Sequence, residues 1–113
     1  MQLLILVLNK VNLLNELLRS LSEEGIHGAT VLESMGMSKA LNGKHSEHIP
    51  VFGTLKMLLH ENRPFNKTIL LALNEKQLEK AIPCVKKVLG DLSQPDAGIM
   101  FTVPINYVEG YTE

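Results

Sequence analysis

The chain has 113 residues, 45% of them apolar and 20% charged, with a formal net charge of −1. This is ordinary globular composition, enough for one domain spanning 1–113 with a buried core, and it excludes an intrinsically disordered chain. The near-neutral balance, with only Arg19 and Arg63 as arginines, argues against a nucleic-acid binder, which needs a basic face. The single cysteine, Cys84, cannot close an internal disulfide, so nothing asks for an oxidising compartment. The opening apolar run Leu3 to Leu8 stops at Asn9-Lys10, far short of the ~20 residues of a membrane span. No basic residue precedes it as in a signal peptide, so the expectation is a cytoplasmic protein that is not membrane-embedded.

In chain order, Leu3 to Leu8 is continuously apolar, as suits a strand covered on both faces. Asn9 is placed to cap a helix whose apolar positions Val11, Leu14, Leu17, Leu18 and Leu21 fall three or four apart on one stripe, and Gly25 supplies the stop. A second strand is predicted at about Ala29 to Ser34. Beyond Gly36 the run Ser38 to His48 is polar and without periodicity, which predicts a flexible loop over about 36–50, closed by Pro50. Phe52 to Leu59 favours a short helix on the propensity of Leu, Met and Lys. Thr68 to Leu73 is a second continuous apolar run. Asn74 with Gln77 three residues on forms a capping box for a helix with the stripe Leu78, Ala81, Ile82, Val85, Val88 and Leu89, stopped by Gly90. Pro83 predicts a kink or an irregular first turn in that helix. Ile99 to Val103 reads as the last strand, and the tail from Ile105 adds at most a short edge segment.

Strand, helix, glycine, strand is thus given twice. Two such units make an α+β, ferredoxin-like βαββαβ sandwich: a four-stranded antiparallel sheet with two helices on one face. The first and third strands are central in that topology, and they are the two uninterrupted apolar runs. Helices cover one sheet face only, so the other side of Leu3 to Leu8 predicts a large apolar patch, covered either by further copies of the chain in a closed symmetric assembly or by the loop after Gly36 folding back, the first being favoured because that loop is so polar.

The segment Gly25-Ile26-His27-Gly28-Ala29-Thr30-Val31-Leu32-Glu33-Ser34-Met35-Gly36 resembles PII signalling proteins, of the nitrogen-regulatory superfamily, whose Gly-Ile-x-Gly-x-Thr-Val-x-Glu-x-x-Gly pattern leads from the second strand into a long loop. Element order and length agree over nearly the whole chain. The resemblance implies a homotrimer with its sheets facing inward. It also implies a small effector, usually the adenine nucleotide ATP or ADP, in clefts between subunits, and a loop that reports occupancy to a partner such as a transporter or metabolic enzyme. By position it implies ligand contacts at Thr30, Gly36, Met37 and Lys39, and at Ala97 and Gly98 in the turn before the last strand. The chain departs from the family at three places. Ala40 stands where a glutamine is usual, Pro95-Asp96-Ala97-Gly98 lacks the phosphate-binding lysine, and Asn106 to Gly110 lacks the arginines. A triphosphate asks for charge-assisted donors, so these departures point to a smaller or less charged ligand, or one held by backbone donors at Gly36 and Gly98.

A rival reading rests on His45-x-x-His48 with Glu47 in the polar loop. Two imidazoles three apart share a metal if a third ligand arrives from elsewhere. This would resemble the CutA-type divalent-cation tolerance proteins of the same trimeric fold, although the Gly25 to Gly36 pattern favours the PII-like reading. Cys84 beside the second helical stripe reads as a buried, inert thiol. Lys56 reads as a solvated helix residue, and Glu33 as an outward carboxylate that guards an edge strand. No nucleophile elbow, phosphate loop or dense metal motif is present, so a binding protein is expected rather than an enzyme.

Overall fold

The computed structural model describes residues 1–42, 65–94 and 96–112, with Ser38, Lys39 and Asn42 described by backbone alone. Its strands are β1 (Gln2–Leu8), β2 (Ala29–Met35), β3 (Phe65–Leu73) and β4 (Gly98–Pro104). The helices are α1 (Leu14–Glu23), which follows a 3-10 turn at Val11–Leu13, then α2 (Met37–Asn42) and α3 (Glu75–Leu89). The strands form one sheet in the order β2-β3-β1-β4, and every neighbouring pair is antiparallel. This is the expected ferredoxin-like α+β sandwich, with the two apolar runs at its centre.

Register sorts the apolar residues onto two faces. Leu4 and Leu6 sit opposite Leu71 and Ile69, and all four are buried with Leu8 and Leu73 against Leu17 and Leu21 of α1 and Ala81, Val85 and Leu89 of α3. Because side chains alternate along a strand, Leu3, Ile5 and Val7 point the other way, beside Ala72, Leu70 and Thr68 of β3 and Val103, Phe101 and Ile99 of β4. No described helix covers that second face, and Ile99 is 57% and Phe101 44% exposed. The apolar patch expected there is present in the single chain.

The helix ends follow from local chemistry. Asn74 accepts a hydrogen bond from the Gln77 backbone N–H, and Gln77 Oε1 accepts from the Asn74 N–H, so the predicted capping box starts α3. Gly25, at φ +82°, closes α1 in a Schellman arrangement: its N–H donates to Ser22 O, and the N–H of Ile26 reaches back to Leu21 O. Ile26 then buries itself beside Leu21, which is the apolar contact this motif brings with it. Gly90 stops α3, its N–H donating to Lys86 O. Cys84 is buried, as expected, with Sγ 2.9 Å from Ser20 Oγ. Glu33 lies opposite Lys67 in the ladder and forms an ion pair with it.

Two expectations are corrected, at Asn9 and at the start of the loop. Asn9 does not cap the first helix: its side-chain oxygen accepts from Asn66 Nδ2 at 3.2 Å, and the chain enters α1 through the 3-10 turn without a side-chain cap. Val11 therefore stays exposed outside the helical stripe. The predicted loop begins instead as α2, whose Met, Lys, Ala and Leu are good helix formers and whose Ala40 N–H bonds back to Gly36 O. Of the two outcomes expected of Pro83, the irregular first turn is not seen; the proline lies inside the helix, on its solvent side. The tail stays within the expectation of at most a short edge segment: among the described residues it forms no strand, Ile105 N–H donates to Met1 O, and the remainder crosses the sheet end. The rest of the expected loop and the helix expected at Phe52 to Leu59 lie outside the described residues.

Candidate functional site

The residues singled out by sequence fall on one end and both edges of the sheet. Met35 pairs with Phe65, and Leu8 with Gly98, so the exit of β2 and the entry of β4 share an end. Gly36 and Met37 continue from β2 on one edge, and the backbone of Lys39 runs in α2. Ala97 and Gly98 lie on the opposite edge, with Ala97 buried. Three strand spacings separate the edges, about 14 Å. Thr30 is six residues back along β2, opposite Leu70, and hence about 20 Å from Gly36. Within one chain the structure joins Gly36 to Met37 and Ala97 to Gly98, and it keeps the two pairs and Thr30 apart.

The surroundings of each part differ. Met37 is 78% exposed. A Cβ at Gly36 would meet only Asn66 Nδ2, at 3.9 Å, so this junction leaves space for close approach from outside. Beneath it a polar chain links β2 and β3 to the residue that follows β1: Ser34 Oγ bonds with Asn66 Oδ1 and, at 2.7 Å, with Thr68 Oγ1, and Asn66 donates on to Asn9. Asn66 is buried, and a fully paired polar network of this kind holds the strand ends rigidly. On the other edge, the turn before Gly98 is organised by Asp91, whose carboxylate accepts from the Ser93 hydroxyl and N–H and from Gln94 Nε2. The Ser93 bonds hold the Asp91 carboxyl below its ordinary range.

A concave site missed in the sequence lies at the far end of the sheet. It is a cleft of about 460 Å³ between the α1–β2 connection, the start of α3 and the C-terminal tail, lined by Ile26, His27, Leu73, Gln77, Glu109 and Tyr111 among others. The tail is tied down by Tyr111, whose hydroxyl donates to Gln77 Oε1 at 2.6 Å and accepts from Asn74 Nδ2 at 3.5 Å. Gln77 Oε1 is thus taken twice, and its Nε2 has no partner among the described residues. His27 stands at the rim, with Nδ1 3.3 Å from Ser22 Oγ. On the tail, the Tyr107 hydroxyl donates to Glu109 Oε1 at 2.5 Å, and this bond to a carboxylate pushes the phenol's pKa up. The sequence had singled out Gln77 for the capping box and Gly25 to Gly28 for the PII-like pattern, but nothing in it joined them into a cleft.

His45, Glu47, His48, Lys56 and His60 lie outside the described residues. Among the described residues, no group of three His, Cys, Asp or Glu side chains is close enough to hold a metal ion, and no helix is long and apolar enough to cross a membrane. Compared with models of known protein families and with curated proteins, the chain matches none. Fold and geometry define the class at the level of a ferredoxin-like α+β sandwich with an apolar sheet face that no described element covers.

Proposed function

We propose that this chain is a PII-like regulatory module and not an enzyme. It forms a homotrimer that binds a small effector, an adenine nucleotide or a less charged relative of one, in clefts between subunits. The 36–50 segment signals occupancy to a protein partner, such as a transporter or metabolic enzyme. The observation that carries the reading is the split of the candidate site between opposite edges of one sheet. Gly36, Met37 and Lys39 leave from the β2 edge, whereas Ala97 and Gly98 sit on the β4 edge about 14 Å away. A head-to-tail ring brings the β2 edge of one copy against the β4 edge of the next and so assembles the two halves. The uncovered apolar face supports the same assembly.

A ligand that binds the folded trimer at 100 times its dissociation constant stabilises it by about 2.7 kcal/mol. In a thermal-shift series with ATP, ADP and AMP, at least one nucleotide raises the melting temperature, and Lys39→Ala reduces that rise without lowering the unliganded melting temperature. Light scattering gives three times the chain mass. A monomer at micromolar concentration, or a nucleotide response indifferent to Lys39→Ala, overturns the proposal.

A further inference from the structure

The cleft beneath the tail belongs to neither half of the edge site, and its chemistry is different. Its volume of about 460 Å³ falls within the range of roughly 300–1,000 Å³ typical of small-molecule sites. Its lining is mixed: Val108, with the edges of Ile26 and Leu73, supplies apolar surface, and Tyr111 adds an aromatic ring. One donor and one acceptor are fixed in this setting. The amide of Gln77 cannot turn, because Oε1 receives both the Asn74 N–H and the Tyr111 hydroxyl, so Nε2 is held as the free donor. Glu109 gives one carboxylate oxygen to Tyr107 and keeps the other without a partner among the described residues. No described lysine or arginine lines the cleft.

We infer that this cleft binds an uncharged, nucleoside-like molecule, a flat heterocycle whose ring nitrogen accepts from Gln77 Nε2 and whose amino group donates to Glu109. A polyanion is disfavoured, because the lining holds the Glu109 carboxylate and no described lysine or arginine to compensate it. A simple cation satisfies Glu109 but leaves the Gln77 donor facing like charge. A flat base with both an acceptor and a donor satisfies both groups and packs on the apolar part of the lining. The inference is independent of the function proposed above, whose site lies at the other end of the sheet.

The test is an NMR titration of the full chain with adenosine, AMP and ATP, read at the backbone amides of Gly28 and Gly110, which line the cleft. Adenosine shifts these amides saturably, AMP does so more weakly and ATP more weakly again. Gln77→Ala weakens adenosine at least tenfold. Since Gln77 also serves the capping box, a second variant is made on the exposed tail: Glu109→Lys reverses the order, so that ATP becomes the tightest of the three at these amides. The inference is overturned if adenosine at millimolar concentration leaves Gly28 and Gly110 unmoved, or if ATP moves them in the unaltered chain as strongly as adenosine. It is equally overturned if Glu109→Lys leaves the order unchanged. Shifts confined to Gly36 and Gly98 report on the edge site alone, so the two proposals fail separately.

Discussion

Gly98 is the residue at which the backbone tolerates least. Its φ is +132°, and a Cβ built there would run into the carbonyl oxygen of Val7 on the adjacent central strand. The obstacle is backbone within a paired ladder, because Gly98 lies beside Leu8 at the start of β4, so no side-chain rotation relieves it. Holding a non-glycine residue in such a conformation costs roughly 1–3 kcal/mol before the clash is counted. Gly98→Ala therefore lowers the denaturant midpoint by at least that equivalent with an unchanged m-value, as read by urea unfolding. Gly36→Ala, where the added Cβ makes ordinary contact only, stays close to the parent. The contrast separates a glycine demanded by the single chain from one whose openness serves something outside it.

At the scale of elements, the start of α3 does two jobs. Asn74 and Gln77 cap the helix through each other's backbone, and the same two side chains hold the tail through the Tyr111 hydroxyl. Loss of an N-cap side chain costs ~1 kcal/mol, and a neutral hydrogen bond contributes roughly 0.5–1.5 kcal/mol. Tyr111→Phe removes only the tail tie. Hydrogen exchange is expected to speed up at 108–112 with β1 and β3 unaffected, whereas Asn74→Ala speeds exchange both there and in the first turn of α3. If Tyr111→Phe leaves tail protection unchanged, the tie is not what holds the tail. This double use marks the limit of what the sequence could tell. The capping box is a local pattern and was legible, as were the two apolar runs and their glycine stops, because each depends on neighbours within a few residues. The partnership of Tyr111 with Gln77 spans 34 positions and leaves no periodic trace. Asn9 carried a cap signal, but the competing acceptor site for Asn66, 57 positions away, prevailed. The start of α2 was hidden because helix formers were interspersed with Ser38 and Asn42 in a run that reads as polar.

At the scale of the molecule, the question is what lies on the open sheet face. Leu3, Ile5 and Val7 fill its middle, and Ile99, Phe101 and Val103 continue it along β4 with exposures of 57%, 44% and 38%. Two polar features limit how it can be covered. The Ser34–Asn66–Thr68 chain closes the face at the loop-base end with its hydrogen bonds already satisfied, and Thr30 lies on the β2 side beside Leu70. A partner surface must therefore be apolar over the β1 and β4 strips, and the same face of another copy meets that requirement. Phe101 is opposite Ile5 at mid-strand, so a charge placed there is removed from water in any assembly that uses this face. The effective penalty for burying an unpaired ion is several kcal/mol, and it recurs in each subunit of a ring. If the proposed trimer uses this face, Phe101→Asp converts it to monomers in light scattering at micromolar concentration. The monomer should keep its secondary structure by circular dichroism, because the side chain points away from the α1–α3 core. If Phe101→Asp keeps the parent's mass, the interface lies elsewhere, and the edge-to-edge ring must be held without the sheet face.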